Sequence, residues 1–167
     1  MLGLALLQQT RGEETSAQRT LDELTQVLLE LNQVQFAPEV EAFRARLALL
    51  RGDVSPAEYW AKTGEQPARM PLWFWEANEL TRVKVLIAQG TDAARQVASD
   101  LLTASRAYAE ETGNVWLLIQ VWALLALLAK AQEELNGSGD RSALLAAERA
   151  VRLAEPGGYL RLFVELG

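Results

Sequence analysis

The chain has no cysteine and no histidine in its 167 residues. The first absence excludes disulfides, thiolate metal sites and cysteine nucleophiles. The second removes the commonest general base, proton shuttle and metal ligand near neutral pH. Serine–histidine and cysteine–histidine machinery, zinc sites and HExxH helices therefore cannot be assembled from this chain alone. No GxxxxGK[ST] string occurs, so the phosphate loop of nucleotide hydrolases is missing too. Basic residues are nowhere massed. The 16 Lys and Arg stand against 22 Asp and Glu for a net charge of −6, which argues against direct contact with nucleic acid. No stretch alternates apolar and polar residues between turns as a strand would. The opening MLGLALLQQTRGEE lacks a cationic leader and a small-residue cleavage site, so it is not a signal peptide and a cytoplasmic location is expected. The one membrane-like run, Val115 to Ala129, has 15 residues interrupted by Gln120. About 20 are needed to cross a bilayer, so the run reads as a buried central helix and no membrane partner is expected.

Helical periodicity accounts for nearly everything that is present. Ala17, Leu21, Leu24, Leu28 and Leu31 recur at steps of four and three, placing one helix over Ser16 to Leu31. A second follows Pro38, with Val40, Phe43, Leu47 and Leu50 as its stripe and Arg44, Arg46 and Arg51 off it, ending at Gly52. Ser55 is expected to cap a third, with Pro56 in its first turn and Glu58 closing a capping box. The Pro-rich TGEQPARMPL forms the longest connection. Trp73 to Gln89 resumes helix, with Ala77, Leu80, Val83 and Ile87 on one side. Thr91 caps the next, whose expected face is Ala94, Val97, Ala98, Leu101 and Tyr108, and Gly113 ends it. Val115 to Leu135 is apolar on nearly every side, as a helix flanked by neighbours should be. Ser142 to Ala154 places Leu144, Ala147, Val151 and Ala154 in register, Pro156-Gly157-Gly158 breaks it, and Tyr159, Phe163 and Leu166 mark a last helical turn.

A larger period lies over these helices: an apolar helix, a Gly turn, then a more polar helix. The turns fall at Gly12, Gly52, Gly90 and, less cleanly, Gly139, at spacings of 52 − 12 = 40, 90 − 52 = 38 and 139 − 90 = 49 residues. These exceed the roughly 34 of a regular tetratricopeptide unit but keep its helix-turn-helix order. One pair cannot bury its apolar face alone, so neighbours must stack. The predicted fold is all-α, a tetratricopeptide-like right-handed solenoid of antiparallel helix pairs whose first helices line a concave surface. A single domain over 1–167 is expected, with repeat units of roughly 1–33, 36–66, 72–112 and 114–155 and a terminal helix at 157–167. Because the chain starts and stops within helices, it is expected to be a fragment of a longer polypeptide.

Three segments carry a family resemblance: LAEPGGYLRLFVELG at the end, EVEAFRARLALLRGD in the middle and ELTRVKVLIAQG between them. Together they resemble the repeat region of MalT-like activators, the large ATP-dependent regulators of the LuxR class, over essentially the whole chain. The most specific part is Ala154-Glu155-Pro156 followed by Gly-Tyr-Leu-Arg-Leu-Phe and a closing Gly167. The chain departs from the family at Val83-Lys84, where Ala-Arg is common, and in a longer NGSG turn. The resemblance implies a sensor region lying between an ATP-binding switch domain and a DNA-reading helix-turn-helix, neither of which these residues contain.

Candidate functional residues follow from this geometry. Polar residues flanking the core stripe of each first helix would face a groove, which singles out Arg46, Lys84 and Gln120. Trp73, Trp75 and Trp116 are candidate aromatic contacts for a ligand, while Trp60 and Trp122 read as packing. The doublets Glu13-Glu14, Glu110-Glu111 and Glu133-Glu134 diverge on a helix and cannot converge on a metal. No catalytic residue, metal or cofactor is expected. The expected partners are a small-molecule inducer or a regulatory protein, together with self-association. A general scaffold for a partner's peptide or helix is the alternative.

Overall fold

The repeat glycines mark real helix ends. Gly12 and Gly52 both adopt φ +77, a left-handed conformation that costs an L side chain about 1–2 kcal/mol and glycine almost nothing. Each closes a Schellman turn. The Gly12 and Glu13 amides donate to Gln9 and Gln8 carbonyls at 3.0 and 2.9 Å, and those of Gly52 and Asp53 to Leu49 and Ala48 at 2.9 and 3.0 Å. Midway between them Asn32, with φ 53, does the same. Its amide donates to Leu29 at 3.1 Å and that of Gln33 to Leu28 at 2.7 Å. The punctuation is thus every 20 residues here, 32 − 12 and 52 − 32, one stop per helix.

The computed structural model describes residues 1–63, 78–136, 141–159 and 163. Eight α-helices lie in these: α1 (Leu2–Thr10), α2 (Glu14–Glu30), α3 (Ala37–Leu50), α4 (Val54–Thr63), α5 (Asn78–Gln89), α6 (Asp92–Thr112), α7 (Val115–Asn136) and α8 (Ser142–Ala154). No strand occurs among the described residues. Among the described residues α1 packs on α2, α3 on α4 and α7 on α8. The turn at Gly139 and most of the expected last turn, including Leu166, lie outside the described residues. The chain divides into two compact units, Met1–Thr81 and Arg82–Gly167.

In the first unit, α1 packs on α2, α2 on α3 and α3 on α4, while α1 also meets α3. Contact between the first helices of successive pairs is what stacking of repeats demands. The core joins Ala5 and Leu6 of α1, Ala17 and Leu21 of α2, and Val40, Phe43 and Leu47 of α3. Full burial of a leucine such as Leu21 or Leu47 contributes about 1.5–3 kcal/mol. Polar side chains fasten the same interfaces. Thr20 Oγ1 donates to Gln8 Oε1 at 2.8 Å, and Arg44 reaches from α3 to Asp22 at 2.8 Å and Gln18 at 3.0 Å on α2. Helix α4 begins at Val54, so Ser55 lies inside its first turn and is not the cap expected from sequence. The Gly52 turn leaves Asp53 at the junction, and Pro56 still falls in the first turn, where its missing N–H is harmless.

In the second unit α7 lies between α6 and α8. Thr91 caps α6 as expected, its Oγ1 accepting from the Ala94 amide at 3.2 Å. The buried Arg95 anchors the same turn, donating to the Gly90 carbonyl and pairing with Asp92. Asn114 serves two helices: its amide donates to the Ala109 carbonyl at 2.9 Å, and its Oδ1 accepts from Leu117 at 3.0 Å. Two expected faces are corrected. On α8 the buried stripe is Ala146, Ala150 and Ala154, while Leu144 and Val151 are 65% and 54% exposed. On α6 it is Ala94, Ala98, Leu102 and Ala109, with Val97 exposed. The buried positions of both flanking helices are mostly alanine, while α7 buries Leu117, Ile119, Val121, Leu124 and Leu128. Small faces admit a helix that is bulky all round, so the packing density of a core is reached without overlap.

Helix α7 keeps the bounds read from sequence to within a residue, but the apolar run read as 15 residues is longer. Val115–Glu134 is a 20-residue window long and apolar enough to cross a membrane by length and composition, and 44% of it is buried within the protein. The central helix of a soluble unit satisfies the same criterion.

Candidate functional site

The first helices of the pairs carry the side chains that sequence reasoning selected. Helix α3 is surrounded by α1, α2 and α4, and Arg46 sits in it only 9% exposed. Its guanidinium lies over the Phe43 ring, 5.7 Å from the centroid, a cation–π contact of about 0.5–2 kcal/mol depending on desolvation. The sequence reading placed Arg46 off the core stripe, facing a groove. An arginine tolerates burial there because its aliphatic stem adds apolar area and its planar head stacks on the ring one turn back. The signal was available in the spacing of Phe43 and Arg46, three residues apart on a helix.

In the second unit, Trp116 and Gln120 share one face of α7, a turn apart. Trp116 is half-buried, and Gln120 is 5% exposed between the fully buried Ile119 and Val121. Its Nε2 donates to the Trp116 carbonyl at 3.5 Å, a long bond. A buried amide in an otherwise apolar helix is costly unless satisfied, so Gln120 is the polar mark of this helix. Lys84 of α5 is half-buried between Val83 and Val85, both fully buried. Trp73 and Trp75 lie outside the described residues. The structure thus brings Trp116 and Gln120 together, and sets Arg46 beside Phe43 in the other unit.

One pair escaped the sequence reading. Arg106 of α6 lies over the ring of Trp122 on α7, 5.5 Å from its centroid. Trp122 was read as packing and Arg106 was not singled out. Their separation of 122 − 106 = 16 residues crosses a turn, and no local spacing reveals such a contact. Trp122 is two residues beyond Gln120, so this pair lies on the side of α7 away from Trp116 and Gln120. Among the described residues no cluster of three or more acidic, His or Cys side chains is arranged to hold a metal ion. What these positions offer is stacking, amide hydrogen bonding and a fixed cation, the elements of recognition.

Comparison with known proteins gives one result. A family model described as the MalT-like TPR region matches residues 1–167, and the chain belongs to that family: it is an all-α, tetratricopeptide-like helical-repeat module of a MalT-type regulator. No curated protein and no solved structure matches it.

Proposed function

From this membership we propose that the chain is the sensing and interaction module of a LuxR-class, ATP-dependent activator. An inducer or a regulatory protein binds along the first helices of its repeats, and the bound state favours self-association of the parent protein in the cytoplasm. The observation that carries the reading is the family match, which runs the full length of the chain without interruption. The recognition chemistry on α7 supports it: Trp116 supplies an apolar plane and Gln120 an amide that both donates and accepts. The module itself contributes binding, and the catalysis and DNA reading of such an activator belong to other domains of the parent.

A ligand shifts the parent between resting and active states only through its different affinity for the two. A tenfold shift requires about 1.4 kcal/mol of differential binding. One or two hydrogen bonds remade around a buried amide are of that size.

Isothermal titration of the full chain against a panel of oligosaccharides and metabolites tests the reading, with indole fluorescence as a second signal from its five tryptophans. Saturable binding of at least one compound, weakened by Trp116→Ala and by Gln120→Ala, is expected. Silence from every small molecule, with saturable binding of a partner's peptide, would instead make the module a scaffold.

A further inference from the structure

We draw no further inference here: the strongest candidate, the apolar surface patch where α2 turns towards α3, formed by the exposed Val27, Leu29, Leu31 and Val34, carries nothing because nothing in the structure shows what covers it.

Discussion

Replacing Gly52 by alanine separates a backbone requirement from a packing one. The residue sits at φ +77, and a Cβ built there meets nothing within 4 Å. The substitution therefore carries no collision, only the left-handed penalty of about 1–2 kcal/mol. Reduced freedom of the unfolded chain offsets about 0.4–1 kcal/mol of this, leaving a net loss near 1 kcal/mol. Gly3 provides the control of opposite sign. It is exposed inside α1, where alanine is favoured over glycine by roughly 0.5–1 kcal/mol, somewhat less so close to a helix end. Urea and thermal unfolding followed by circular dichroism read both, and a loss of 1 kcal/mol lowers the melting temperature of a unit of this size by about 4–8 °C. The effect belongs to the transition of the Met1–Thr81 unit, which contains α3 and α4. A neutral Gly52→Ala would mean that the turn does not hold the left-handed geometry. A loss above about 3 kcal/mol would mean that a side chain there does collide. Either outcome refutes the account of the repeat as glycine-stopped helices.

Three further changes probe other links. Leu47→Ala empties the centre of the first unit's core and is expected to cost about 2–5 kcal/mol, measured by the same unfolding curves. Thr91→Ala removes the hydroxyl that accepts from Ala94 and should cost about 1 kcal/mol, with fraying of the first turn of α6 visible in amide exchange. Arg44→Ala breaks the bridge to Asp22, whose side chain is largely exposed. The loss should stay near or below 1 kcal/mol and shrink as salt is raised from low to high concentration.

Helix order was legible because caps and stops are local. Thr91, Gly12, Gly52 and Gly113 each act within four residues of themselves, so the sequence carries the signal without help from tertiary structure. Asn32 was missed because asparagine is ambiguous: it enters the left-handed region more readily than other side chains, yet it is just as common in turns and caps. The candidate site was legible in kind but not in exposure. Arg46 and Gln120 were rightly noticed as polar residues on first helices, yet both are buried. The rule that polar residues mark the solvent side holds for a helix with one open face. Helix α3, enclosed on three sides, buries Ala42, Ala45 and Ala48 together with Val40, Phe43 and Leu47, so its apolar residues point no single way.

The corrected faces of α6 and α8 have the same origin and reach further. Hydropathy weights leucine and valine above alanine, so a periodicity search turns the face towards Leu144 and Val151. Burial in a stack is decided by fit. Helix α7, bulky on every side, is flanked by α6 and α8, whose buried positions are Ala94, Ala98, Leu102 and Ala109 on one and Ala146, Ala150 and Ala154 on the other. The larger side chains on α8 then turn outward because the inner positions are already filled, not because they are suited to water.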